Sequence, residues 1–187
     1  MSISTRSGDD GATRLFSGEQ VAKSHRRPAA YGDMDEAVSA LGLARALARE
    51  QRVAAELLTL QKTLFLVGAE LATSPARLDL LPERLGPSHL DALDGLGEEL
   101  EALVELPPVF VVPGSSPGSA ALDLARSIVR RLERAVVGLC EAEPSLRENV
   151  TLLPWLNRLS DILFLLARYE EQQQGLGYQQ LKEPPQA

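Results

Sequence analysis

Apolar residues recur at helical spacing along most of this chain. Val38, Leu41, Ala44 and Leu47 predict a first helix that opens at Asp33, as its N-cap, and runs to about Glu50. Val53, Leu57, Leu60, Leu64, Val67 and Leu71 carry a second as far as Ser74 and Pro75, where the proline ends it. Ser88, behind Pro87, is the expected cap of a third, acidic helix to about Val104, with Glu98, Glu99 and Glu101 toward water and Gly95 and Gly97 weakening it. The next apolar run, Val109 to Val112, is bracketed by Pro107, Pro108 and Pro113. It is too short for a helix and reads as an extended, buried connection. Ser116 caps, and Pro117 opens, a fourth helix to about Cys140. A fifth runs from near Thr151 to Gln174, with Pro154 tolerated in its first turn. Beyond Gly175 the tail, including Glu183, Pro184 and Pro185, is expected to be mobile.

The first 32 residues behave differently. They hold Gly8, Gly11, Gly18 and Gly32 among serines and threonines, show neither a helical nor a strand period, and read as a long loop or loose hairpin. Loops of that length in a compact domain tend to be functional or disordered. Composition supports the helical reading: 34 Leu and 23 Ala against 4 Phe, 3 Tyr and 1 Trp is a helix-forming vocabulary. The expectation is an all-α fold, a single domain over 1–187. It comprises a loop (1–32), a bundle of about five helices (33–174) and a mobile tail (175–187).

Charge narrows the function. The chain carries −7, yet residues 1–32 carry +2, so the basic part is its start and the remainder is strongly acidic. That balance argues against a general nucleic-acid binder. A single cysteine, Cys140, excludes a disulfide scaffold and a cysteine zinc cage. No uncharged apolar stretch reaches about 18 residues and the polar start does not resemble a signal peptide, so a cytoplasmic protein without membrane contact is expected.

Three catalytic patterns fail. Gly114-Ser115-Ser116-Pro117-Gly118 fits a serine-nucleophile elbow, but that chemistry needs an alternating β/α sheet, which the helical periodicity denies. Ala22 and Gly86 stand three residues before His25 and His89, so the Glu-x-x-His pairs of a di-iron bundle are missing. No Gly is followed by Lys, which removes the standard P-loop. The fourth helix is more informative. At about 100° per residue, Arg126, Arg130, Glu133 and Arg134 share one arc, while Leu124, Ile128, Val129, Leu132 and Val136 take the other side. Such a face is a solvated surface, an inter-subunit ion-pair network or an anion site. Asn157 stands among apolar neighbours, as a buried amide or a ligand contact, and Arg158 is spaced to pair with Asp161.

These residues carry a resemblance. Thr5-Arg6-Ser7-Gly8-Asp9-Asp10-Gly11-Ala12-Thr13, then Gly18-Glu19, Lys23 and Tyr31-Gly32-Asp33-Met34-Asp35-Glu36, resemble the N-terminal signature of the PduO-type cob(I)alamin adenosyltransferases. Phe110-Val111-Val112-Pro113-Gly114, Ala125-Arg126, Arg130-Arg131-Leu132-Glu133-Arg134, Leu156-Asn157-Arg158-Leu159-Ser160-Asp161 and Ala167-Arg168-Tyr169 are similar to its later motifs, in the same order, over about residues 3 to 170.

The resemblance implies a five-helix bundle assembled as a homotrimer, with each active site at a subunit interface. It implies that Thr5, Arg6, Ser7, Gly8, Thr13, Arg14 and Lys23 hold ATP from the loop. Arg130, Glu133, Arg134 and Asn157 would hold it from a neighbouring bundle, with Asp35 pairing with Arg126 across the interface. Phe110 would lie against the lower face of the corrin, and with Arg130 and Asn157 it makes up the implied catalytic set. The implied reaction is attack of cob(I)alamin on the 5′ carbon of ATP, with magnesium carried mainly by the phosphates. A reductase and an adenosylcobalamin-dependent client are the implied further partners. A non-catalytic cobalamin or nucleotide carrier of the same fold is the alternative. The chain departs from the family pattern at Ser7, Asp10, Ala37, Ser115 and Asp123. An acid at Asp10 in a triphosphate loop weakens binding unless it points to solvent or magnesium, and Asp123 is spaced to pair with Arg126.

Overall fold

Two short antiparallel strands open the chain: β1 (Ala12–Arg14) pairs with β2 (Gln20–Ala22), Thr13 opposite Val21. Then come α1 (Arg26–Leu47), α2 (Gln51–Leu71), α3 (Pro87–Leu103), β3 (Val111–Val112), α4 (Pro117–Ala142), α5 (Leu152–Gln173) and β4 (Gln179–Gln180). Single 3₁₀ segments at Pro75–Leu80 and Pro144–Glu148 bridge α2 to α3 and α4 to α5. The computed structural model describes residues 8–106, 109–177 and 179–181.

The helices stack because each buries the stripe its sequence marks. Leu41, Leu57, Leu64, Leu122, Val129, Leu132, Leu156, Leu159 and Leu163 are all fully buried in one core, with Trp155 among them. Each such side chain contributes about 1.5–3 kcal/mol. α1 runs antiparallel to α4: Arg26 Nη1 donates to Gly138 O (2.8 Å) near one end, and Arg131 pairs with Asp33 and Glu36 further along. α1 and α2 approach closely at Gly68, where a Cβ would lie 2.0 Å from Met34 Cε.

Several boundaries differ from the sequence reading. α1 starts at Arg26, capped by His25, whose Nδ1 accepts from Arg27 N (3.2 Å), and not at Asp33. Pro28 falls in the first turn, where no backbone donor is needed. The buried face there begins with an arginine, Arg27, which conceals the apolar period. Gly86, and not Ser88, is the N-cap of α3, because Pro87 already occupies N1. Ser116 does cap α4, its Oγ accepting from Ser119 N (3.1 Å).

The connection before α4 is not buried. Val109 is 40% and Phe110 82% exposed. The tail expected to be mobile is used here: β4 pairs with β3, Leu181 N donates to Phe110 O (3.1 Å), and Ser115 Oγ donates to Gly177 O (3.3 Å). Backbone hydrogen bonding satisfies an exposed apolar strand that lacks side-chain cover. Residues 182–187, with Glu183, Pro184 and Pro185, lie outside the described residues.

Candidate functional site

The hairpin builds a cleft. Gly11, at φ 80°, turns the chain so that Gly11 N donates to Gly8 O (3.2 Å) and Lys23 N to Gly11 O (2.8 Å). Asp10 Oδ1 accepts from Ala12 N (3.0 Å), an Asx turn that leads into β1. The resulting space of about 230 Å³ is lined by Gly8, Ala12, Thr13, Arg14, Gln20 and Lys23. Lys23 Nζ sits so close over Gly8 that a Cβ there would meet it at 2.9 Å. Gly8, Thr13, Arg14 and Lys23 are thus brought together around one cleft, with Arg14 Nη1 also donating to Gly18 O (3.1 Å). Thr5, Arg6 and Ser7 lie outside the described residues. The Asp10 carboxylate is exposed and committed to the turn.

The face of α4 splits into two. Arg130 and Arg134 are exposed and make no ion pair among the described residues. Between them Glu133 accepts from Asn157 Nδ2 (3.1 Å), so Asn157 is an exposed amide and not a buried one. Arg131 is held by its own chain, and its hydrogen bond to Glu36 raises its pKa above the ordinary arginine value. No α4 residue lines the hairpin cleft. Leu124, assigned to the apolar side, is 53% exposed.

Arg126 turns the other way. Its guanidinium lies 5.7 Å from the Phe164 ring, Arg168 lies 5.1 Å from the same ring, and Arg126 Nε is buried without a hydrogen-bond partner among the described residues. It borders a second cleft of about 260 Å³ with Leu106, Ile162 and Phe164. Asp123 does not pair with it. Asp123 is taken by Arg168 (2.7 Å), itself 1% exposed and paired with the buried Glu171 (2.9 Å), since a buried guanidinium needs acceptors for its donors. Arg158 likewise pairs with Asp94 on α3 (2.5 Å) and not with Asp161. Asp35 is exposed on α1 without an ion pair among the described residues.

Buried charges that the sequence reading left aside organise the ends of the bundle. Glu170, fully buried on α5, accepts from Arg49 N (2.7 Å) and Glu50 N (3.2 Å) and so ties down the link between α1 and α2. Glu70 accepts from Leu85 N, Arg84 and Asn149. Arg27, 2% exposed, donates to Leu71 O, Thr73 O and Glu143. Their signal in the sequence is a charge on an otherwise apolar helix stripe. Burial pushes the Cys140 thiol up, which keeps it from acting as a thiolate nucleophile. Among the described residues no cluster of three His, Cys, Asp or Glu side chains is placed to hold a metal ion.

By fold and site this is an all-helical protein with a basic, glycine-bearing hairpin mounted at one end of its bundle. The chain belongs to the cobalamin adenosyltransferase family, whose model matches residues 3–170. It is 40% identical over 169 residues to a corrinoid adenosyltransferase of Citrobacter freundii, covering 90% of this chain and 94% of that protein. It is 42% identical over 170 residues to one of Mycobacterium bovis, covering 89% and 86%. Among solved structures it is similar to a variant PduO-type ATP:corrinoid adenosyltransferase from Lactobacillus reuteri complexed with cobalamin and ATP. That match has a TM-score of 0.85, 31% identity and 97% coverage of both chains.

Proposed function

We infer that this protein transfers the 5′-deoxyadenosyl group of ATP to the cobalt of cob(I)alamin, giving adenosylcobalamin and triphosphate. The observation that carries the reading is similarity along 97% of the chain to a protein complexed with both cobalamin and ATP. The Co(I) electron pair forms the cobalt–carbon bond as the bond from C5′ to the triphosphate oxygen breaks, and that bond's pair leaves with the triphosphate. The nucleophile comes with the substrate, so the chain has to align two reactants and neutralise a leaving polyanion.

Gly8, Thr13, Arg14 and Lys23 grip the triphosphate, with Thr5, Arg6 and Ser7 continuing the same loop. Glycine lets backbone N–H groups approach phosphate oxygens, and Lys23 adds a point charge. Arg130, Glu133, Arg134 and Asn157 complete the site from a neighbouring subunit of a homotrimer, an arginine fork suiting a polyphosphate better than lysine does. Support for this division is that Arg130 and Arg134 stand exposed while the hairpin cleft contains no α4 residue. The exposed Asp35, without an ion pair among the described residues, fits pairing between subunits. Magnesium arrives with ATP and stays on its phosphates and water.

Phe110 supports the corrin from below. Its 82% exposure removes core filling as its role, and an apolar ring without donor atoms displaces an axial ligand and excludes water. The whole chain acts as one domain in the cytoplasm, where a buried free thiol such as Cys140 persists. A reductase supplies the electron for Co(I), and an adenosylcobalamin-dependent enzyme takes the product. No helix of the described residues is long and apolar enough to cross a membrane. The test is turnover of ATP with chemically reduced cobalamin: release of triphosphate supports transfer, and binding of both ligands without it identifies a carrier.

A further inference from the structure

The C-terminal end of α2 is unusually crowded with groups from the hairpin and its exit. A helix leaves its last carbonyls without intrahelical partners, and cations are favoured there, yet α2 has no basic residue in its last turn. Arg27, four residues beyond Lys23, fills the gap: its Nη1 donates to Leu71 O (2.9 Å) and Thr73 O (2.6 Å). Its other face is held by Glu143 beyond α4, Nη2 donating to Oε2 at 2.6 Å. The carbonyl between those two, Ala72 O, accepts from Phe16 N (2.8 Å) at the hairpin turn. Ser74 N donates to Ser17 Oγ (2.9 Å), and Ser74 Oγ donates to Glu19 (2.5 Å). Hydrogen bonds from Ser17 and then Ser74 hold the Glu19 carboxyl down at about 2, so it stays ionised and accepting at any working pH. The segment 71–74 therefore receives the hairpin at its turn and at its exit, on either side of the strands that line the cleft.

We propose that residues Leu71–Ser74 are the seat that sets the position of the nucleotide hairpin, with Arg27 and Ser74 as positioning residues for ATP binding. The proposal rests on the hairpin being the ATP site. Neither residue lines the cleft; both fix the hairpin whose Thr13, Arg14 and Lys23 do. A purely structural role predicts something different. Ser74 Oγ makes an exposed hydrogen bond, and its loss in that case would leave the kinetics untouched.

The experiment is steady-state kinetics of the full chain with chemically reduced cobalamin, ATP and cobalamin varied in turn. Ser74→Ala, Ser74→Ala with Glu19→Gln, Arg27→Lys and Lys23→Ala are compared with Thr59→Ala, which removes a similar exposed hydroxyl bond on α2. Ser74→Ala is expected to raise the KM for ATP about three- to tenfold, leaving kcat and the KM for cobalamin within about twofold. The double variant exceeds it, and Thr59→Ala matches the parent. Arg27→Lys raises the KM further and also lowers Tm, so Ser74→Ala decides should that variant fold poorly. An unchanged KM for ATP in the Ser74 variants beside a raised one in Lys23→Ala overturns the seat and leaves the hairpin assignment standing. An unchanged KM in Lys23→Ala overturns the hairpin assignment and the seat with it.

Discussion

Lys23 Nζ above the Gly8 backbone and the exposed Arg130 on α4 are the two cations that the proposed site sets against phosphate. Replacing either with alanine should raise the KM for ATP about tenfold or more and leave that for cobalamin nearly unchanged, which steady-state kinetics with each substrate varied will show. Asp10 is no obstacle in this picture: its carboxylate accepts from Ala12 N and faces solvent. Phe110 makes a separate test. Phe110→Ala should abolish most turnover from cob(II)alamin with a reductase and spare ATP binding. Because the ring is exposed, Tm should move by less than about 2 °C. A lower Tm with intact turnover would contradict the role given to it. At this scale the resemblance singled out Gly8, Thr13, Arg14 and Lys23, which the structure places around one cleft. The sequence did not identify the partners of Asp123, Arg158 and Arg168, because one helix face does not reveal which neighbouring helix supplies the opposite charge.

Helices were legible wherever an apolar stripe ran unbroken, as in α2, α4 and α5. They were misread where a buried charge or proline interrupts the stripe, as at the start of α1, where Arg27 is the first buried residue. Pairing of β3 with β4 was invisible because two-residue strands carry no period and their hydrogen bonds come from the backbone. α2 shows how an element borrows its ends from others: the link leading into it is held by Glu170 from α5, and its last carbonyls are met by Arg27 from α1. Glu170→Ala leaves the Arg49 and Glu50 N–H groups without their acceptor. It should cost about 2–4 kcal/mol in urea unfolding, and Glu170→Gln, which keeps an acceptor, should cost less.

Residues 1–32 carry +2 and the remainder −9, and in a single chain no α4 residue lines the hairpin cleft. On the proposed homotrimer, light scattering should give a mass three times 20.2 kDa, and Asp35→Arg, which would set like charges at the proposed pairing with Arg126, should shift the population toward monomer. A monomeric parent at assay concentration would contradict the shared site. The central claim is the transfer itself, and anaerobic mixing of cob(I)alamin with this protein and magnesium ATP tests it most directly. The account predicts one triphosphate released for each photolabile adenosylcobalamin formed; persistence of the cob(I)alamin spectrum with ATP intact would contradict it.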